Sequence, residues 1–249
     1  TCTVNPQLGH EYDPAYQITP ALAPKKIMVI GAGPSGMECA ITAKRRGHDV
    51  VVFERGAAIG GALAGFAKND LANSDDLLSI VAYYRHMAEA LNIEVRLNTT
   101  IDTKNMRSML HQFDVAVVAT GARIDGMLLP EPTQSGLMVD ALDVVADETK
   151  TGQRVVVLGG GKIGLTLAES LKQTYGREVT VVEADKRIAG DVMPSFKWRH
   201  TAWIEELGIP VRTSGKVLAI GDRGVKNRNA QREEELLPAD NVSAVVSRR

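Results

Sequence analysis

Two strand–glycine-loop–helix fingerprints occupy this chain of 249 residues, and each ends in a glutamate. The first runs from Lys26 to Glu54 as KIMVIGAGPSGMECAITAKRRGHDVVVFE, with Gly31, Gly33 and Gly36. The second runs from Arg154 to Glu183 as RVVVLGGGKIGLTLAESLKQTYGREVTVVE, with Gly159, Gly161 and Gly164. In each, an apolar run reads as a parallel strand buried on both faces. The first glycine permits a sharp turn off the strand. The second lets the backbone approach a pyrophosphate, and the third lets the helix pack close to the sheet. The helix then offers unpaired N–H groups and a positive dipole end to phosphates. Pro34 suits a first helical turn, where its missing N–H is not needed. One such unit implies a dinucleotide. Two imply two cofactors, one passing electrons to the other. Glycine-rich turns without a ligand are the competing reading of each loop.

The two acids sharpen the pattern. Glu54 lies 18 residues past Gly36, and Glu183 lies 19 past Gly164. A carboxylate about 20 residues on accepts hydrogen bonds from ribose hydroxyls. At Glu183 it would repel a 2′-phosphate and so favour NAD(H) over NADP(H), a preference tempered by the nearby Lys186 and Arg187.

A net charge of −1 without a basic block argues against a nucleic-acid partner. No apolar stretch approaches the ~20 residues of a membrane span, and no signal peptide is visible. A soluble, cytoplasmic protein is expected, with no membrane partner. The chain starts at Thr1 and stops at VSAVVSRR, and both ends read as cuts through a longer polypeptide. The two cysteines, Cys2 and Cys39, form no CxxC pair, which disfavours disulfide reduction. Cys39 falls in the first fingerprint helix, where a small buried hydrophobe is expected.

Between the fingerprints, apolar spacing predicts a helix over Asp75–Leu91 and strands over Ile93–Leu97 and Asp114–Ala119. The second of these runs into Ala119, Thr120 and Gly121, where backbone could lie close beneath a dinucleotide or simply turn. Arg123–Ala146 reads as a crossover broken by Pro130 and Pro132. Beyond Glu183, a short helix is expected over Arg199–Leu207. Strands follow at Val211–Arg212, Lys216–Ile220 and Val242–Val246, with a solvent-exposed hairpin or loop over Asp222–Leu237. His10 and His200 have no sequence partner that would make them acid–base or metal sites. We expect residues 1–24 to form a connector, 25–150 the first domain, and 151–249 a second domain with the start of a return to the first.

The whole arrangement resembles the trimethylamine dehydrogenase and 2,4-dienoyl-CoA reductase family of iron–sulfur flavoproteins. The likeness rests on CTVN, VIGAGPSGMECA, Ile59–Gly60–Gly61, YYRHMAEALNIEVRLNTTI, DVAVVATGAR and VVVLGGGKIG. It implies an α/β protein of two Rossmann-like dinucleotide-binding domains, of the glutathione-reductase-like FAD/NAD(P) type and truncated at both ends. In that family an FMN barrel precedes these domains in the same polypeptide, with a [4Fe–4S] cluster between. Cys2 matches the last of four cluster ligands. Gly31, Gly33, Pro34, Ser35 and Gly36 would surround the pyrophosphate of FAD, or of ADP in the amine dehydrogenase branch. Glu54 would hold the ribose, with Arg55 beside it. Gly61 and Ala62 would line the phosphate side, and Ile101 would offer backbone to adenine. NADH would lie along Gly159, Gly160, Gly161, Lys162, Ile163 and Gly164, with Glu183 on its ribose. The implied function is that of a nucleotide-binding, electron-transfer part of an oxidoreductase acting on a small-molecule substrate. A non-catalytic ADP-binding scaffold of an amine dehydrogenase or demethylase is the alternative, and a stand-alone NADH:acceptor reductase is a third. No catalytic acid or base can be named. Substrate, direction of electron flow and oligomeric state, a homo-oligomer among them, stay open.

Overall fold

The structure, a computed structural model, describes residues 5, 7–69, 74–122, 135–146 and 150–245. The chain divides into two compact units, Thr1–Ala67 with Asn73–Ala122, and Lys68–Ala72 with Arg123–Arg249.

In the first unit β1 (Lys26–Ile30) leads through the glycine loop into α1 (Pro34–Arg45) and then β2 (Asp49–Phe53). α2 (Gly61–Asn69), α3 (Ser74–Ala90), β3 (Glu94–Arg96), α4 (Met106–Leu110) and β4 (Val115–Val118) follow. The strands form one parallel sheet in the order β3-β2-β1-β4. This is the strand alternation that a parallel sheet with crossover helices requires. Ile27 and Val29 face α1 and α3, packing with Met37, Ile41, Ile80 and Tyr84. Met28, Ile30 and Phe53 face the other way, onto Ile101, Met106 and Phe113. The strand is therefore apolar on both faces because each face has its own cover. Tyr84 faces the core, and Tyr83 beside it is half-buried.

In the second unit α5 (Ala141–Ala146) precedes β5 (Arg154–Leu158), α6 (Lys162–Gln173), β6 (Glu178–Val182), α7 (Pro194–Glu206) and β7 (Val211–Arg212). β8 (Lys216–Gly221), β9 (Gly224–Arg228), β10 (Glu234–Pro238) and β11 (Asn241–Ala244) complete it. A parallel sheet runs β11-β5-β6-β7, and β10-β9-β8 make a separate antiparallel sheet.

Several expectations shift. Met138 bridges Val242, and Val139 donates its N–H to the Val242 carbonyl, so Ser135–Ala146 belongs with the second unit. The two compact units divide after Ala122. β11 pairs with β5, which keeps the described chain through Val245 in the second unit. α7 begins at Pro194, ahead of the expected Arg199, because proline is pre-organised for a first turn. The charged hairpin is not wholly solvent-exposed. Val225 and Leu237 turn inward onto Val156 and Leu158. α2 and α4 carry too few apolar repeats to be read from sequence.

Asp240 pins the entry to β11. Its carboxylate accepts from the Arg154 backbone N–H at 2.8 Å and from the Arg154 guanidinium at 2.7 Å. The guanidinium hydrogen bond, then the backbone one, holds the Asp240 carboxyl below its usual range. A depressed carboxyl stabilises the fold above its unfolded pKa, and that contribution is lost as pH falls through the lowered folded value. Asp240→Asn should thus flatten the acid limb of the stability profile below about pH 4. Urea midpoints across that range would test it, and parallel limbs for both proteins would refute the linkage.

Candidate functional site: two glycine loops with inward carboxylates

In the first unit Gly31 leaves β1 at φ 107°, a conformation open to glycine. Its N–H is donated to the Phe53 carbonyl at 2.8 Å. A Cβ at Gly31 would lie 2.3 Å from the Ala119 carbonyl oxygen, and one at Gly36 would lie 1.9 Å from the Gly31 oxygen. These two glycines are therefore packing necessities inside the protein. Gly33 differs, since a Cβ there would meet nothing within 4 Å. It is the N-cap of α1, with Pro34 in the first turn and Ser35 exposed. The Gly60 N–H is donated to the Ala32 carbonyl at 2.9 Å, and α2 starts at Gly61. Gly61 sits at φ 53°, where its Cβ would be 3.1 Å from the Gly33 Cα. The N-termini of α1 and α2 thus both lie beside Gly33, which favours an anion there.

Glu54 folds back over this loop. Its Oε2 accepts from the Ala32 N–H at 2.8 Å, and its Oε1 from the Gly56 N–H at 2.7 Å. Its own N–H is donated to the Arg96 carbonyl at 2.9 Å. Each carboxylate oxygen keeps acceptor capacity for a ribose hydroxyl. Arg55 and Ala62 are exposed, as are Thr120 and Gly121 at the end of β4. Ala119 donates its N–H to the Ile30 carbonyl, placing Ala119 and Thr120 directly against Gly31. The Ile101 side chain packs on the Phe53 face of the sheet. Cys2 lies outside the described residues. Among the described residues no group of three His, Cys, Asp or Glu side chains could hold a metal ion.

The second unit repeats the plan. The Gly159 N–H is donated to the Val182 carbonyl at 2.8 Å, and a Cβ at Gly164 would lie 1.9 Å from the Gly159 oxygen. Glu183 Oε2 accepts from the Gly160 N–H at 2.6 Å, and its Oε1 from the Asp185 N–H at 2.8 Å. Ile163 is exposed, as are Lys186 and Arg187 after the acid. One residue was not anticipated. Asp191 Oδ1 accepts from the Lys162 backbone N–H at 2.8 Å, at the head of α6. Aligning the repeats on their closing glutamates would have brought it out, because Ala62 stands as far past Glu54 as Asp191 stands past Glu183.

Residues 25–248 match the pyridine nucleotide-disulphide oxidoreductase family. The chain belongs to that family. The metal reductase of Desulforamulus reducens is 30% identical over 100% of this chain and 41% of its own length. The NADH oxidase of Thermoanaerobacter brockii is 30% identical over 98% of the chain and 37% of its length. A solved 2-naphthoyl-CoA reductase complex superposes with a TM-score of 0.90 at 33% identity, over 99% of this chain and 36% of that one. The chain therefore spans well under half the length of these relatives. The likeness agrees with the flavoprotein resemblance read from VIGAGPSGMECA and VVVLGGGKIG. As a pyridine nucleotide-disulphide oxidoreductase member it has the α/β, Rossmann-like FAD/NAD(P) fold. No described helix is long and apolar enough to cross a membrane. The described free thiol, Cys39, is half-buried in α1, and burial pushes its pKa up. That is the setting of an inert packing residue and not of a redox thiolate.

Proposed function

We propose that this chain is the nucleotide-binding, electron-transfer part of a multi-cofactor iron–sulfur flavoprotein oxidoreductase. Electrons would pass between NAD(H) at the second loop, FAD at the first, a [4Fe–4S] cluster ligated through Cys2, and an FMN barrel acting on a small-molecule substrate. The reading rests on one observation: two glycine loops in one chain, each with a glutamate folded back onto the loop's own N–H groups. Bound flavin and nicotinamide supply hydride transfer. The residues of this chain bind and orient the nucleotide. Gly33 leaves room for the pyrophosphate, the helix N-termini beside it favour the negative charge, and Glu54 and Glu183 accept ribose hydroxyls.

A second reading, a non-catalytic ADP-binding scaffold, draws support from the carboxylate already seated at the second loop. Acid release of nucleotide from the full-length enzyme, with FAD, FMN and ADP quantified separately, tells them apart. FAD and FMN in equal amounts fit the electron-transfer reading. FMN with ADP and no FAD would sink it. Glu183→Ala should weaken NADH binding about ten-fold, as expected for one lost charge-assisted hydrogen bond. It should also narrow the preference over NADPH, and unchanged titrations for both nucleotides would count against a ribose at Glu183.

A further inference from the structure

The two loops match except where the phosphate would sit. In each unit the chain returns to the loop at the same point, because Gly60 donates to the Ala32 carbonyl and Ala189 donates to the Gly160 carbonyl. Two residues further on stand Ala62 in the first unit and Asp191 in the second. A Cβ on Gly33 would meet nothing within 4 Å, whereas one on Gly161 would lie 2.8 Å from Asp191 Oδ2. The other oxygen of Asp191 accepts from the Lys162 N–H at 2.8 Å. So the open side of the middle glycine and a first-turn donor of α6 are both taken by one carboxylate.

We infer that Asp191 is an internal competitor for the pyrophosphate at the second loop. It sets how tightly a dinucleotide is held there. This rests on the proposal that the second loop is a nucleotide site. A pyrophosphate needs the same N–H groups and the same space, and two anions cannot share them. Binding therefore requires the carboxylate to leave Lys162. The move is small, because Asp191 is exposed and follows Gly190, whose Cβ position has nothing within 4 Å. Rotation about the Asp191 side-chain bond would carry the carboxylate off the Lys162 N–H toward solvent. The adenosine end, held at Glu183, does not feel the contact. The first loop has no such competitor at the matching position, so the two sites differ in affinity although their fingerprints look alike.

NADH, ADP-ribose and adenosine titrated calorimetrically into the wild type, Asp191→Ala and Asp191→Asn test the idea. Asp191→Ala reproduces the first loop. Asp191→Asn keeps a hydrogen-bond acceptor for Lys162 and so guards against a variant that merely loses the helix cap. NADH and ADP-ribose are expected to bind Asp191→Ala at least five-fold more tightly than wild type, with Asp191→Asn between, and adenosine unchanged. Affinities within two-fold of wild type, or weaker binding to both variants, would overturn the competition while leaving the second loop a nucleotide site. Glu183→Ala serves as the locator. If it leaves NADH binding unaltered, or if no protein binds NADH, the nucleotide reading of this loop fails and the competitor with it.

Discussion

Gly36→Ala should lower the melting temperature by about 6–12 °C. The added methyl would lie 1.9 Å from the Gly31 carbonyl oxygen and 3.1 Å from its carbon. Those are backbone atoms fixed between β1 and the Ala119–Thr120 segment, so no side chain can swing away. Overpacking of this kind costs about 3 kcal/mol, and a domain of this size loses about 2–4 °C per kcal/mol. Gly33→Ala supplies the contrast. Gly33 has φ −74° and ψ 178°, which alanine adopts freely, and no atom within 4 Å of the new methyl. Its melting temperature should stay close to wild type. Its affinity for ADP should fall about 10–100-fold, because the methyl takes the pyrophosphate's place. Thermal melts and ADP titrations of both proteins test the pair. If Gly33→Ala bound ADP as wild type does, the open side of that glycine would not be the phosphate site.

The second large effect concerns a buried pair behind the second loop, joining α6 to α7. His200 Nδ1 on α7 lies 2.8 Å from Glu169 Oε1 on α6, with side-chain exposures of 7% and 2%. This contact ties the helix that opens at the second loop to the helix that follows Asp191. His200→Ala should destabilise the chain by about 3 kcal/mol, since it removes a hydrogen-bond partner from the buried Glu169 side chain and leaves a cavity. Glu169→Gln retains a hydrogen-bonding side chain and should cost less. Urea unfolding of the single and double variants gives the coupling between them. Additive losses would show that the pair does not act as a unit.

Much of the fold could be read from the chain. Runs such as KIMVI and RVVVL announce buried parallel strands, and glycine spacing announces the turn and helix after each. Those signals are local, because backbone sterics and strand burial act over a few residues. The helix over Ser74–Ala90 was legible for the same reason, through its three- and four-residue apolar steps. The pairing of Met138 with Val242, the inward turn of Val225 and Leu237, and the meeting of His200 with Glu169 were not. Each joins residues whose neighbourhoods carry no periodic signal toward one another.

The same division runs through the two sites. The sequence by itself determined that there are two loops, which glycines shape them, and that a glutamate closes each, since all of these follow from spacing along one strand–helix–strand unit. Only the tertiary structure decided that the loops are unequal. Gly33 has open space, while Gly161 faces the carboxylate of Asp191, which follows β6 in the chain and reaches the head of α6. A hydrogen bond between Lys162 and Asp191 depends on how the chain returns after the second strand, and that path is set by packing and not by the fingerprint.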